Sequence, residues 1–373
     1  MLTFAKTQIA LLNRQPVRAG NFCSYSKEVS FNLEMVIAKK FVYVSKFVGE
    51  PKLSDFKLEE EQLPDLKDDE ILCEAEYLSL DPYVRMLMAN RPVNTIMLGR
   101  QTAKILQSKN PKYPVGSYVF GNFGWRSHTV VKPGTNVLPY EQKDRTDIAN
   151  LLPDFGNLPR SLALGYLGMP GHTAYFGLLD ICKPTKGEVV VVTAAAGAVG
   201  SLVGQIAKIK GCTVIGFAGS EEKCKWIKED LGFDFAFNYK TNDISACLKK
   251  SAPGGIDCYF DNVGGEMSST IIAHMRRHGR IAVCGSICAY NSTEPVKAPM
   301  LQRMFINNEL KMEGLLVYRW TDRYSESFNQ IFQWIQEGKI KYRETITKGF
   351  ENMPKGFIEL LKGVNLGKAI VQV

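Results

Sequence analysis

The chain has 373 residues, which is long enough for two domains that each bury a core. Hydrophobic residues make up 45% and charged residues 23%, as in globular proteins, and no apolar run approaches the roughly 18 residues that span a membrane. The net charge of +8 is not gathered into a basic run with interleaved aromatic residues. We therefore expect neither a nucleic acid nor a membrane as partner, and the positive surplus favours a polyanionic ligand.

The first 34 residues differ from the rest of the chain in their charge. Four basic residues occur up to Lys27, and the first acidic residue is Glu28. This composition is typical of a mitochondrial transit peptide, and equally of a disordered extension before an internal start at Met35, which would leave the protein in the cytoplasm. In both cases we expect the folded sequence to begin near Met35.

Residues 35–154 contain short β-like segments separated by prolines. The predicted strands are 35–44, 70–77, 102–107, 115–121 and 127–131, and a short helix is predicted after Asp81. This pattern predicts a compact domain made mostly of β-strands.

Residues 189–193 form an apolar, β-branched run that predicts a strand buried on both faces of a parallel sheet. A turn with Gly197 and Gly200 follows at once and opens a helix that ends at Gly211. A strand, a tight turn and a helix N-terminus together predict an anion site. The dinucleotide fingerprint G-x-G-x-x-G is incomplete, because Ala195 stands at its first glycine, so a turn that uses glycine only for packing remains an alternative.

Further strands are predicted at residues 213–218, 235–239, 256–261, 280–284 and 310–317, with helices at 244–250 and 267–275 between some of them. Six strands alternating with helices predict a doubly wound parallel sheet, so the fold class is α/β. After an amphipathic helix at 328–337, a short strand at 369–373 indicates that the chain returns to the first domain. The predicted domains are residues 35–160 with 325–373, and residues 161–324.

The residues just after each predicted strand are the candidates for the site, since ligands lie outside the carboxyl ends of parallel strands. The second strand lacks the acidic residue that binds the ribose of NAD and is followed by Lys223, a cation that favours the 2′-phosphate of NADP. A solvated lysine on a helix surface remains an alternative interpretation of Lys223. Asn262 can bind a ribose or amide group, or merely form its tight corner. Tyr290 carries an acidic O–H that could stabilise an enolate, or it could serve only in packing.

Nine cysteines are scattered singly, and the nearest pair, Cys284 and Cys288, lacks the spacing of a zinc or redox motif. The four histidines form no metal signature either. We expect a reducing compartment and no metal site.

Several motifs together carry a resemblance to a known family. They are LDPYVRM, LALGYLGMPGHTAYFGLL, TAAAGAVGSLVGQIAKIKGC, GSEEK, FNYK, DCYFDNVGGE, GRIAVCGSICAYN and VYRW. In this order they closely resemble the prostaglandin reductases, also called leukotriene 12-hydroxydehydrogenases or NADP-dependent 2-alkenal reductases. This family is a zinc-independent branch of the medium-chain dehydrogenases/reductases, and the resemblance covers residues 35–373.

The resemblance implies a Rossmann domain that binds NADP(H) and a mostly β, GroES-like catalytic domain. It implies reduction of the C=C bond of lipid-derived, α,β-unsaturated ketones or aldehydes, with dehydrogenation of a leukotriene alcohol as a further activity, and a homodimer. A quinone oxidoreductase of the same superfamily and a catalytically silent NADP-binding protein remain alternatives. The zinc-binding relatives carry a ligand cysteine where this chain has residues 80–83, Leu-Asp-Pro-Tyr.

The resemblance also implies a set of site residues. Tyr290 is the residue implied to stabilise the substrate carbonyl and enolate. The implied pyrophosphate contacts are Gly197, Ala198, Val199 and Gly200, and the implied 2′-phosphate contacts are Lys223 and Tyr239. The other implied cofactor contacts are Asn262, Cys284, Gly285, Ser286, Ile287, Cys288, Ala289, Tyr290, Leu315, Leu316, Val317 and Asn365.

Overall fold

A computed structural model of the chain describes residues 36–135 and 149–373, which belong to one unit, Val36–Val373. The N-terminal extension lies outside these residues, so the structure tests neither the transit-peptide interpretation nor that of an extension before an internal start. Within the described ranges, no helix combines the length and the apolar character that crossing a membrane requires.

Sixteen strands and nine α-helices occur in the described part of the chain. The strands are β1 Ile37–Tyr43, β2 Phe56–Gln62, β3 Ile71–Ser79, β4 Thr95–Ile96, β5 Gln101–Ser108, β6 Tyr118–Gly121, β7 His128–Val131, β8 Asn150–Leu151, β9 Val189–Thr193, β10 Thr213–Ala218, β11 Phe235–Asn238, β12 Ile256–Asp261, β13 Met275–Val283, β14 Lys311–Gly314, β15 Glu344–Lys348 and β16 Lys368–Gln372. The helices are α1 Tyr83–Ala89, α2 Met169–Phe176, α3 Ala198–Ile209, α4 Glu221–Lys225, α5 Ile244–Ser251, α6 Gly265–Ile272, α7 Gln302–Asn308, α8 Tyr324–Gln336 and α9 Met353–Leu361.

Strands β9 to β14 form a six-stranded sheet in the order β11-β10-β9-β12-β13-β14, in which every neighbouring pair is parallel. This is the doubly wound order, and the predicted parallel sheet is confirmed. The apolar run of β9 places it at the centre, where Val190, Val191 and Val192 are fully buried. Because the strand order reverses between β9 and β12, a crevice opens at their carboxyl ends.

The remaining strands form two sheets that are largely antiparallel. One has the order β2-β1-β4, and the other has the order β15-β16-β3-β5-β6-β8, with β7 also paired to β3. The last strand, β16, pairs antiparallel with β3 and parallel with β15. The chain therefore returns to the first group of strands as predicted, and the mostly β character of this part is confirmed.

The structure corrects the extent of several elements. Strand β13 begins at Met275, five residues before the predicted start at 280, and α6 ends at Ile272 instead of 275. Strand β14 ends at Gly314, because the chain turns into a 3₁₀ helix at Val317–Arg323. Strands β2, β4, β8 and β15 have no counterpart among the predicted strands.

The buried cluster of the parallel sheet includes residues of α8. Ile331 and Trp334 of α8 lie in the same buried cluster as Val190 and Val192 of β9. A second cluster, with Phe41, Leu78 and Phe357, fills the space between the other two sheets. The domain limits at residues 160 and 325 remain a prediction.

Candidate active site

A cavity of about 1090 Å³ opens at the carboxyl ends of the parallel strands. Its lining includes the turn after β9 and Leu80–Tyr83, before and at the start of α1. Residues at the start of β16 complete it. The cavity thus lies where the switch in strand order predicts a ligand.

The glycine-rich turn brings the N-terminus of α3 close to the end of β9. A Cβ atom at Gly200 would lie 2.4 Å from the carbonyl oxygen of Ala194, so glycine is required for this approach. Ala195, which replaces the first fingerprint glycine, is fully buried, and its amide donates to the carbonyl of Phe217 at 3.0 Å. The first N–H groups of α3 have no partner within the helix, so the turn can hold an anion such as a pyrophosphate.

Two lysines and a tyrosine lie at one end of the cavity. Lys223 of α4 donates from Nζ to the carbonyl of Gly363 at 2.6 Å. Burial and the neighbouring charge of Lys240 lower the pKa of Lys223. The hydroxyl of Tyr239 lies next to Gly219, just after the end of β10, where a Cβ atom on that glycine would be 3.3 Å away from it. This concentration of positive charge suits a phosphate, and Lys240, directly after the predicted strand at 235–239, is among the residues at the strand ends where the site was expected.

A buried carboxylate fixes the corner after β12. Oδ1 of Asp261 accepts hydrogen bonds from the Tyr259 hydroxyl at 2.8 Å and from the amides of Val263 and Gly264 at 3.0 and 2.9 Å. Oδ2 accepts a hydrogen bond from the Ser268 hydroxyl at 2.6 Å. These four hydrogen bonds hold the corner at 262–265, which lines the cavity. Asp261 was not among the predicted site residues, because an acid at a strand end has no local sequence signature of this role.

Asn262 ties together the two central strands at the switch point. Its Nδ2 donates to the carbonyl of Thr193 at 2.8 Å, and its amide donates to the Thr193 hydroxyl at 3.0 Å. Asn262 thus forms the tight corner, as one of its two predicted roles requires. Since Asn262 also lines the cavity, its contact with a cofactor stays a prediction alongside that role.

Tyr290 directly follows the 3₁₀ turn at Ile287–Ala289 in the loop after β13. Both the Tyr290 hydroxyl and the carbonyl oxygen of Asn262 lie close to Gly285. A Cβ atom placed on Gly285 would be 3.3 Å from the hydroxyl and 3.4 Å from the carbonyl oxygen. Burial raises the pKa of the Tyr290 phenol, and a backbone hydrogen bond from Ser286 partly opposes this effect. The phenol therefore stays protonated at neutral pH and can donate a hydrogen bond within the cavity.

The structure brings most of the predicted site residues together. Those that line the cavity are Gly197, Ala198, Val199, Gly200, Lys223, Tyr239, Asn262, Cys284, Gly285, Ile287, Cys288, Tyr290, Leu315, Leu316, Val317 and Asn365. Ser286 and Ala289, on either side of Ile287 and Cys288, are exposed and do not line it. For these two residues, any cofactor contact would have to come from the backbone.

Side chains of α1 and α2 form an apolar wall of the cavity. It includes Met86 and Leu87 of α1, with Met169 and Pro170 of α2. The sequence does not distinguish these residues, since apolar side chains on short helices look like core residues without the tertiary structure. A cavity lined by both a polar turn and an apolar wall suits a charged cofactor beside a hydrophobic substrate.

The residues at the position of the zinc ligand in zinc-binding relatives do not fit a metal site. The carboxylate of Asp81 accepts hydrogen bonds from Lys368 Nζ and from the Ser79 hydroxyl. Within residues 36–135 and 149–373, no three His, Cys, Asp or Glu side chains are grouped so that they could hold a metal ion.

Such a fold, with an anion-binding turn and an apolar wall on one cavity, is that of a dinucleotide-dependent oxidoreductase. Residues 39–139 match the family described as the N-terminal domain of oxidoreductase, and residues 198–337 match the zinc-binding dehydrogenase family. Prostaglandin reductase 1 of Bos taurus is 48% identical over 341 residues, which are 91% of this chain and 100% of that protein. The NADP⁺-dependent 2-alkenal reductase of Nicotiana tabacum is 37% identical over 353 residues, covering 91% of this chain and 98% of that one.

A solved structure agrees with these relatives. CurA from Vibrio vulnificus in complex with NADPH has a TM-score of 0.82 and 37% identity, covering 90% of this chain and 99% of that one. The chain therefore belongs to the prostaglandin reductase family of the medium-chain dehydrogenases/reductases, and the family resemblance seen in its motifs is confirmed.

Proposed function

We propose that the protein uses NADPH to reduce the C=C double bond of α,β-unsaturated ketones and aldehydes. Family membership supports an NADP-dependent oxidoreductase, and the observation that carries the reaction is the neutral phenol of Tyr290. It lies on the cavity beside Gly285 and Asn262, and the anion-binding turn and the apolar wall line the same cavity. When bound, NADPH supplies the hydride that the double bond accepts.

The residues of the cavity fit this cofactor. The amides at the start of α3 would hold the pyrophosphate, as the close approach at Gly200 permits. Lys223 and Lys240, with the hydroxyl of Tyr239, would hold the 2′-phosphate, because two neighbouring cations attract it. The end of β10 carries no acidic residue of the kind that binds the ribose of NAD and would repel this phosphate.

Tyr290 is proposed to act on the carbonyl oxygen of the substrate. As the β-carbon gains a hydride, the electron pair of the double bond moves toward that oxygen, and the phenol stabilises the negative charge by donating a hydrogen bond. A proton from water then adds to the α-carbon, so that one enone, one hydride and one proton give one saturated carbonyl compound. The phenol keeps its own proton throughout, as its raised pKa favours.

The apolar wall supports a substrate with a hydrocarbon chain. Met86, Leu87 and Met169 offer flexible or branched apolar surface to a ligand held near Tyr290. We propose lipid-derived enones and enals as the substrate class, because their carbonyl and chain match the two sides of the cavity.

An assay of NADPH consumption tests this function. With a panel of an enal, an enone and a quinone, we expect oxidation of NADPH with the first two and formation of a saturated carbonyl product. Turnover of the quinone alone would identify a quinone oxidoreductase. Binding of NADPH without turnover of any compound would identify a catalytically silent NADP-binding protein.

We also propose that the protein forms a homodimer through the edge of its parallel sheet. Strand β14 ends this sheet among the described residues, and Met300, Ile306, Met312 and Leu316 are exposed near it. An edge strand with apolar side chains around it favours pairing with a second copy. Sedimentation analysis of the wild-type protein should give twice the monomer mass. The Met312→Asp variant should give a mass closer to that of the monomer.

A further inference from the structure

A buried ion pair lies in the wall of the cavity, where the last strand begins. Nζ of Lys368 donates to Oδ1 of Asp81 at 2.9 Å and to the carbonyl of Leu80 at 2.6 Å. Lys368 is 1% exposed and Asp81 is 5% exposed, and the Ser79 hydroxyl donates to the other carboxylate oxygen. The reaction steps above use neither member of the pair.

The residues just before Lys368 contact the glycine-rich turn. The amide of Gly367 donates to the carbonyl of Ala196 at 2.8 Å, and Gly197 and Gly367 form an isolated parallel β-bridge. The amide of Lys368 itself donates to the carbonyl of Arg343 at 3.0 Å. One short segment therefore joins the anion-binding turn, through its backbone, to Leu80 and Asp81 in the wall at residues 80–83, through the Lys368 side chain.

Stability alone does not explain a charged pair at this place. Taking an ammonium and a carboxylate out of water costs several kcal/mol per ion, and apolar side chains of equal volume often stabilise a protein as well or better. A charged pair with fixed hydrogen bonds instead selects one geometry. The stem of Lys368 is also confined, since a Cβ at Gly165 would lie 3.1 Å from its Cγ.

We propose that Lys368 is a positioning residue for the reduction. Its bonds to Leu80 and Asp81 hold the wall at residues 80–83 at a fixed distance from the glycine-rich turn, and thereby hold the substrate in line with the hydride donor. The inference rests on the proposed function. A misplacement of about 1 Å between reacting groups can lower a rate about 100-fold, so a small movement of this wall is sufficient.

The double variant Lys368→Met/Asp81→Asn tests the proposal, because it removes both charges and nearly keeps the side-chain volumes. We expect kcat to fall about 10- to 100-fold while the Kd for NADPH, measured by fluorescence titration, changes little. In the protein without cofactor, amide hydrogen exchange of residues 80–83 should become faster. Lys368→Arg, which keeps the charge with a different donor geometry, should recover stability and only part of kcat.

The matched control is the pair Arg280 and Glu188, which is partly buried and does not line the cavity. Arg280→Met/Glu188→Gln should lower the unfolding temperature without changing kcat or exchange at residues 80–83. Wild-type kcat and exchange in the Lys368 double variant would overturn the proposal. If that variant does not fold, Lys368→Arg decides: lower kcat at unchanged Kd supports the proposal, and unchanged kcat overturns it.

The wild-type protein separates this test from the test of function. If the wild-type protein reduces none of the enones, the proposed function is contradicted. The ratio of variant to wild-type kcat would then be measured with whichever acceptor the wild type reduces, and the exchange measurement needs no acceptor at all.

Discussion

Replacing Tyr290 with phenylalanine is expected to lower kcat on a simple enone by about 100- to 1000-fold, the usual effect of removing a donor to a developing oxyanion. The phenol is the donor that the structure places beside Gly285 and Asn262, and its loss should leave the Kd for NADPH nearly unchanged. Steady-state kinetics with a fluorescence titration of NADPH measure both quantities. Full turnover by the variant would show that Tyr290 serves only in packing.

Tyr113→Phe is the matched control for this variant. The Tyr113 hydroxyl donates to the carbonyl of Ala149 at 3.1 Å and does not line the cavity, so kcat should not change. The pH profile gives a second readout. Because burial raises the pKa of Tyr290 above the ordinary value of about 10, wild-type kcat should decline through loss of the donor only above that pH, and Tyr290→Phe should lack this decline.

Lys223→Ala is expected to weaken the binding of NADPH about 10- to 100-fold, since a charge-assisted hydrogen bond contributes about 1.5–3 kcal/mol. NADH lacks the 2′-phosphate, so its Kd should change little, and the preference between the two cofactors should fall by nearly the whole factor. Titrations of both cofactors with wild type and variant give this comparison. An equal loss for NADPH and NADH would remove Lys223 from the 2′-phosphate site.

A lysine on the same short helix provides the control for Lys223. Lys225 is exposed, pairs with Glu229 at 3.9 Å and does not line the cavity. Lys225→Ala should therefore leave both dissociation constants unchanged. Lys223 also donates to the carbonyl of Gly363, so thermal unfolding of Lys223→Ala without cofactor will show how much stability that bond contributes.

The sequence predicts those elements whose burial shows in the local pattern. Strand β9 is apolar on both faces because it is covered on both sides, and β12, which is also fully buried, has an apolar centre between two aspartates; both were predicted with their observed bounds. Strand β2, with the sequence FKLEEEQ, and β15, with ETITK, lie at sheet edges with exposed side chains and give no such signal. The early part of β13 is equally polar, which explains why its start was placed too late.

The same limit applies to the site. Gly200, Lys223, Asn262 and Tyr290 could be selected because each follows a strand of the parallel sheet, where ligands are expected. Lys368 and Asp81 are far apart in the chain, and only the pairing of β16 with β3 brings them together. For Asn262, the structural and functional interpretations are compatible, since its amide group holds Thr193 while the residue lines the cavity.

The destination of the hydride decides whether this cavity carries out double-bond reduction. The measurement is mass and NMR analysis of the product formed from an enone and NADPH that carries deuterium at the transferred position of the nicotinamide. We predict a saturated ketone with deuterium on its β-carbon. An allylic alcohol with deuterium on the former carbonyl carbon, or a product without deuterium, would contradict the proposed reaction.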